Sequence, residues 1–80
     1  MQKSISTRSY AHFLACLREE REKAGISQDE MATRLGETQS FVSKCERGER
    51  RMDIVELREF CKAMGLTLEM FVKQLERSVR

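Results

Sequence analysis

The stretch that decides the fold is residues 27–48, SQDEMATRLGETQSFVSKCERG. It contains two short segments with helical spacing of apolar residues, separated by Gly36 and Thr38, which suit a helix end and a helix start. The apolar side of each segment carries small or aliphatic residues, and the opposite side of the second segment is polar. This pattern predicts two helices joined by a tight turn, with a polar face exposed on the second helix.

Glycines and helix-start residues divide the rest of the chain. Each of the four glycines follows a helical stretch, and the sequence has no proline. Ser27 with Glu30 and Asp53 with Glu56 have the spacing of a capping box. No segment alternates like a strand, so we expect an all-α fold. The predicted helices are residues 8–24, 28–35, 39–46, 53–64 and 67–77.

Length and composition fit one small domain. The chain has 80 residues, of which 40% are hydrophobic and 35% charged, and these proportions are typical of a globular protein with a modest core. We expect residues 1–80 to form a single domain, with residues 1–8 as a flexible N-terminal arm and residues 9–77 as a five-helix bundle. No apolar run approaches the roughly 18 residues of a membrane span, and no secretion signal is visible. We therefore expect a cytoplasmic protein that does not contact membranes.

Residues with reactive or metal-binding side chains are few. Cys16, Cys45 and Cys61 are widely separated and form no C-x-x-C pair, which disfavours a disulfide framework or a zinc site. We interpret them as reduced core thiols, with a cysteine redox sensor as the alternative. His12 is the only histidine, and the sequence has no glycine-rich phosphate loop. We expect no enzymatic activity, no metal and no cofactor.

The first predicted helix carries a charged residue within its apolar side. At 100° per residue, Arg21 falls on the same face as Phe13 and Leu17. A buried arginine is costly unless a carboxylate pairs with it. Glu46 lies beside apolar positions at the end of the third predicted helix, and we predict a structural ion pair between Arg21 and Glu46. The alternative is that the Arg21 side chain extends into solvent.

The last two predicted helices complete the core. Their apolar residues fall on one side of each helix, whereas Val55 and Met70 lie on otherwise polar faces. Such isolated residues are ordinary on surfaces, but they also suit a contact between subunits. The predicted core positions are Ile54, Leu57, Phe60, Cys61 and Met64 in the fourth helix and Leu68, Phe71, Val72, Leu75 and Val79 in the fifth.

The polar face of the third helix predicts contact with DNA. Glutamine and lysine side chains bind the edges of adenine and guanine, and serine binds bases or phosphates. Gln28, at the start of the second helix, suits a backbone phosphate, as does the cationic loop RGERR at residues 47–51. The net charge of +2 is too small to imply nucleic acid by itself. The predicted base-reading residues are Gln39, Ser40, Ser43 and Lys44, and the predicted phosphate contacts are Gln28, Thr38, Arg47, Arg50 and Arg51.

With these residues in place, the sequence resembles the Cro/CI-type (XRE family) helix-turn-helix DNA-binding domains of phage repressors and small bacterial regulators. The matching parts are Arg21, GISQDEMATRLGETQSFVSKCERGER at 25–50 and LREFCKAMGL at 57–66, within a resemblance that covers about residues 13–75. It implies a five-helix, lambda-repressor-like domain whose third helix is the recognition helix. It also implies backbone contact by Gln28, base contact by the polar face, and pairing of Arg21 with Glu46. Cys45 and Cys61 depart from the family, which usually has a larger aliphatic residue and an alanine there.

These observations favour a sequence-specific DNA-binding transcriptional regulator. Related domains bind double-stranded DNA as dimers on pseudo-palindromic operators, so we expect a homodimer. One alternative is the antitoxin of a toxin–antitoxin pair, which would need a protein partner as well as DNA. Another is a protein-interaction module on the same fold, which the cationic loop and the polar face disfavour.

Overall fold

The computed structural model describes residues 7–78, and its helices confirm the expected all-α fold. They are α1 (Arg8–Lys23), α2 (Gln28–Leu35), α3 (Gln39–Glu46), α4 (Ile54–Ala63) and α5 (Leu68–Ser78), each within one residue of its predicted bounds. Of the predicted arm, residues 1–6 lie outside the described part, whereas Thr7 caps α1 and Arg8 begins it. None of the helices in residues 7–78 has the length and apolar character needed to cross a membrane.

Side-chain caps fix the starts of all five helices. Each cap accepts a hydrogen bond from the backbone N–H three residues later, which satisfies a donor that the helix itself leaves free. The reciprocal capping box forms only between Asp53 and Glu56. The box predicted between Ser27 and Glu30 forms only in part. The Ser27 side chain accepts the Glu30 N–H, but the Glu30 carboxylate pairs with Arg34 at 3.1 Å instead of bonding back to Ser27. The five caps are Thr7, Ser27, Thr38, Asp53 and Thr67.

The turn between α2 and α3 depends on a glycine. Gly36 ends α2 with φ of +70°, a left-handed conformation that costs glycine little. The N–H of Gly36 then bonds to the Thr33 carbonyl at 3.2 Å, and the N–H of Glu37 bonds to the Ala32 carbonyl at 2.9 Å. These bonds close the end of α2 and bring the chain directly to the Thr38 cap of α3.

Every helix contributes at least one fully buried side chain to a single core. The largest from each helix are Leu17, Met31, Val42, Phe60 and Phe71. Because each helix supplies an apolar side chain, the short elements hold one another in place, and α3 is fixed through its inward side.

Two predicted core residues lie at the surface instead. Ile54 is 63% exposed and Val72 is 40% exposed. Helical spacing does relate Ile54 to the buried Cys61, but no neighbouring helix of residues 7–78 covers Ile54 itself. The expected core position Val79 lies outside the described residues.

A buried ion pair links the end of α1 to the end of α3. The Nε of Arg21 donates to Glu46 Oε2 at 2.6 Å and its Nη2 donates to Glu46 Oε1 at 3.0 Å. Its Nη1 donates to the carbonyl of Ile26, in the turn before α2, at 2.8 Å. The side chains of Arg21 and Glu46 are 9% and 3% exposed. The hydrogen bond with Glu46 raises the pKa of Arg21, so the guanidinium stays charged.

The three cysteines are free thiols in the interior. Cys45 and Cys61 are completely buried, and Cys16 is nearly so, with its Sγ 3.4 Å from the Oγ of Ser78. Burial raises the pKa of Cys45 and raises that of Cys61 to about 11. Because the thiolate is the reactive form, this environment suppresses oxidation and alkylation and disfavours the redox-sensor alternative.

The ion pair predicts a specific pattern of stability. Arg21→Leu and Glu46→Leu should each lower the free energy of unfolding by about 3–5 kcal/mol, because each leaves one buried charge without its partner. The double variant should lose clearly less than the sum of the two single losses, since no charge is then left unpaired. Urea unfolding at constant pH measures all three, and additive losses would contradict the pairing.

Thiol trapping tests the burial of Cys61. At pH 8 an alkylating reagent should label Cys61 in the folded protein far more slowly than in the protein unfolded by urea, because little thiolate forms below a pKa of about 11. Raising the pH toward 10 should accelerate labelling of the folded protein. Mass spectrometry of the labelled peptides gives the rates, and equal rates in the two states would show that Cys61 is accessible.

Candidate nucleic-acid interface

One side of α3 forms a polar surface, and the opposite side of the helix packs into the core. Val42, Cys45 and Glu46 are buried on the inner side. On the outer side Gln39, Ser40 and Lys44 are exposed and Ser43 is half-buried. These four residues, which we call the base-reading face, present an amide, two hydroxyls and an ammonium group on a backbone that the core fixes.

The Gln39 side chain is connected to the buried ion pair. Its Nε2 donates to Gln28 Oε1 at 2.6 Å, and the Nε2 of Gln28 donates to Glu46 Oε1 at 2.9 Å. The same Glu46 oxygen accepts from Arg21. In this orientation the Oε1 of Gln39 accepts no hydrogen bond from residues 7–78. An amide with a free oxygen and one remaining N–H matches the acceptor–donor edge of adenine.

The cationic loop after α3 is partly neutralised by its own glutamate. Arg47 donates to both carboxylate oxygens of Glu49, from Nε at 2.9 Å and from Nη2 at 3.2 Å. Its Nη1 donates to the Oγ of Ser43 at 2.9 Å, which places the loop against the base-reading face. The hydrogen bond from Arg47 lowers the pKa of Glu49. Arg47 is therefore already paired with the Glu49 carboxylate, which a phosphate would have to displace.

Arg50 also has partners, and the sequence did not reveal them. Its Nη2 lies 2.8 Å from Glu56 Oε2, and its guanidinium carbon lies 4.7 Å from the centre of the Phe41 ring. The hydrogen bond from Arg50 lowers the pKa of Glu56. In the sequence, Glu56 was recognisable only as a member of a capping box, and that position does not indicate that it also pairs with an arginine of the preceding loop. Arg50 thus joins α3 to α4 as well as facing solvent.

Two cations, one on the base-reading face and one in the loop after α3, form no ion pair within residues 7–78. Lys44 and Arg51 are exposed and take part in no ion pair within residues 7–78. Thr38, a predicted phosphate contact, uses its hydroxyl oxygen to accept the Phe41 N–H at 3.1 Å. Contacts between Gln28 and Gln39, and between Ser43 and Arg47, unite much of the predicted set into one surface. In the described part of the chain, no group of three or more histidine, cysteine or acidic side chains is placed to hold a metal ion.

Comparison with known proteins identifies the family to which this chain belongs. A family model described as a helix-turn-helix domain matches residues 12–78. The solved structure of an XRE-family like protein from Pseudomonas syringae pv. tomato is 43% identical, with a TM-score of 0.81 over 90% of this chain and 88% of that chain.

Two further relatives agree with this match. A Sinorhizobium fredii protein named as an uncharacterised HTH-type transcriptional regulator is 38% identical over 47 residues, which are 59% of this chain and 61% of that relative. The tetramer of the restriction-modification controller protein C.Esp1396I, solved with its natural 35 base-pair operator, shares the fold at 18% identity, with a TM-score of 0.82 over 90% of this chain and 95% of that chain. The chain belongs to the XRE family of helix-turn-helix DNA-binding domains.

Proposed function

We propose that this protein is a sequence-specific transcriptional regulator that places α3 in the major groove of DNA. Its family consists of DNA-binding regulators and is not a class of enzymes. The observation that carries the proposal is the hydrogen-bonded connection from the buried pair of Arg21 and Glu46 through Gln28 to Gln39. A polar surface side chain oriented from the core suits the recognition of one fixed edge, such as that of a base pair.

The dimensions of α3 suit the major groove. With its side chains an α-helix is about 10–12 Å in diameter, and the major groove of B-DNA is about 12 Å wide. We assign adenine recognition to the amide of Gln39 and guanine recognition to the ammonium of Lys44. Ser40 and Ser43 are assigned to bases or adjacent phosphates, because a hydroxyl both donates and accepts.

The phosphate contacts divide into free and engaged groups. Within residues 7–78 Arg51 has no ion pair to break, whereas Arg47 and Arg50 must release Glu49 and Glu56 before they can bind phosphate. Arg51 should therefore contribute most to the dependence of affinity on salt. Gln28 keeps one amide hydrogen for a phosphate beside the N-terminus of α2, and Thr38 keeps its hydroxyl hydrogen.

A regulator of this kind is expected to act as a homodimer on a pseudo-palindromic operator. The C.Esp1396I structure shows such a fold assembled on an operator in another protein. A role limited to binding proteins, as in an interaction module, would not require the ordered amide of Gln39. An antitoxin would bind DNA through the same face and would add a protein partner.

Selection of bound sequences from a random duplex pool tests the proposal and yields the preferred site. On that site Gln39→Ala should relax the preference at one base pair by about 1–3 kcal/mol, because one amide contact is lost. Arg51→Ala should instead weaken binding to all sequences alike and reduce the salt slope by about one.

Lys73→Ala is the matched control for the loss of one charge. Lys73 lies on α5, which packs mainly against α1 and α4. This variant should retain both the base preference and the salt slope of the unaltered protein. The proposal fails if no sequence is enriched, or if Gln39→Ala and Arg51→Ala both bind every duplex as the unaltered protein does.

A further inference from the structure

We propose that His12, Cys16 and Ser78 form a zinc-binding site where the end of α5 meets α1. The site includes no residue of the base-reading face, and the inference does not depend on the proposed function. His12 and Cys16 lie on successive turns of α1, and Ser78 is the last residue of α5. An imidazole nitrogen, a sulfur and a hydroxyl oxygen therefore converge from two helices.

The three donor atoms lie near the separations expected for ligands of one metal ion. The Sγ of Cys16 lies 3.7 Å from the Nε2 of His12 and 3.4 Å from the Oγ of Ser78. Zinc binds sulfur at about 2.3 Å and nitrogen at about 2.0–2.1 Å, so tetrahedral geometry places these two ligand atoms about 3.5 Å apart. The Nε2 of His12 and the Oγ of Ser78 are 2.9 Å apart, as in a hydrogen bond, and this pair would separate slightly around the ion.

The spacing of the two strong donors on α1 is one that helices use to bind zinc. Residues four apart lie on the same face of a helix, and the motif HExxH holds zinc with two histidines at this spacing. In HFLAC at residues 12–16, a cysteine stands where that motif has its second histidine. Imidazole and thiolate are both ligands that suit zinc. This inference departs from the sequence-based expectation of no metal, because the third donor becomes visible only when α5 packs on α1.

The hydroxyl of Ser78 is oriented to act as an acceptor within this cluster. Its Oγ donates to the backbone of α5, where the carbonyl oxygens of Gln74 and Leu75 lie at 3.1 and 3.0 Å. A hydroxyl has one hydrogen to donate and two lone pairs. Because the hydrogen is directed to α5, the lone pairs are left for His12 and Cys16. An oxygen in this state can accept a hydrogen bond or bind a cation.

Burial distinguishes Cys16 from the other two thiols. Cys45 and Cys61 are completely buried, whereas Cys16 lies at the edge of the core beside a half-buried histidine and an exposed serine. An ion can therefore approach from the side of His12 and Ser78, and water can supply a fourth ligand. Binding releases the thiol proton of Cys16 to solvent and places the thiolate and the Nε2 lone pair of His12 on the ion.

Two strong ligands and one hydroxyl make an open site. Structural zinc sites have four protein ligands, so binding here is weaker than in those sites. The alternative account of the cluster is hydrogen bonding alone, in which His12 and Ser78 hold the end of α5 against α1 and no metal binds. The two accounts differ in one measurable respect, because an ion that binds only the folded arrangement raises its stability.

Titration of the reduced protein with cobalt(II) tests the site, because cobalt replaces zinc and its bond to a thiolate absorbs in the near ultraviolet. The unaltered protein should develop this absorption band, and added zinc should abolish it by displacing cobalt. Cys16→Ser should remove the band. His12→Gln should raise the dissociation constant of cobalt at least about tenfold, because loss of a direct ligand costs no less than loss of a residue that supports one. Ser78→Ala should weaken binding less, since a neutral hydroxyl is the weakest of the three ligands.

Cys61→Ala is the matched control for the loss of one thiol, and it should keep the band and the dissociation constant. Circular dichroism verifies that each variant is helical, and two independent ligand variants keep the test decisive if one fails to fold. Zinc should raise the midpoint of thermal unfolding in the unaltered protein and in Cys61→Ala, and much less in Cys16→Ser and His12→Gln.

Three results would overturn the proposal. The first is the absence of a band in the unaltered protein up to ~1 mM cobalt, beyond which binding is too weak to count as a site. The second is a band that persists in Cys16→Ser or disappears in Cys61→Ala. The third is a zinc-induced rise in His12→Gln equal to that of the unaltered protein. If no protein responds to metal, the cluster serves only as a hydrogen-bonded contact between α1 and α5.

Discussion

The buried pair of Arg21 and Glu46 is the interaction on which the rest of the structure depends. Removing two charges from water is costly, and the cost is offset only when almost every hydrogen-bonding group of both side chains is satisfied. Here Arg21 bonds to both carboxylate oxygens and to the Ile26 carbonyl, and Glu46 also accepts from Gln28. This requirement ties the end of α1, the turn before α2 and the end of α3 to one arrangement.

Hydrogen bonds extend this arrangement from the buried pair to the surface. Gln28 donates to Glu46 and accepts from Gln39, so the Gln39 side chain on the exposed face is ordered before any ligand binds. An ordered side chain loses less conformational freedom on binding and distinguishes more sharply between correct and incorrect partners. Lys44 and Arg51 are exposed and take part in no ion pair within residues 7–78. The proposed interface thus combines one oriented group with two exposed, unpaired positive charges.

The sequence predicted the elements of this fold well because their signals are local. Capping residues, glycines and apolar spacing place each helix to within one residue. Arg21 was informative because a charged residue within an apolar face requires a partner, and the family resemblance implied Glu46 independently. Contacts between helices were harder to predict, since they depend on how the helices pack. The stacking of Arg50 on Phe41 and the exposure of Ile54 have no counterpart in helical periodicity.

The central claim is that Gln28 orients Gln39 from the core, and base preference in Gln28→Ala tests it most directly. Binding is compared on the selected duplex and on duplexes altered at the base pair that Gln39 reads, with each variant folded. The account predicts that Gln28→Ala loses preference at that base pair as Gln39→Ala does, and that the double variant loses little more. If Gln28→Ala keeps the preference and weakens all duplexes equally, Gln28 serves only as a phosphate contact and the claim is contradicted.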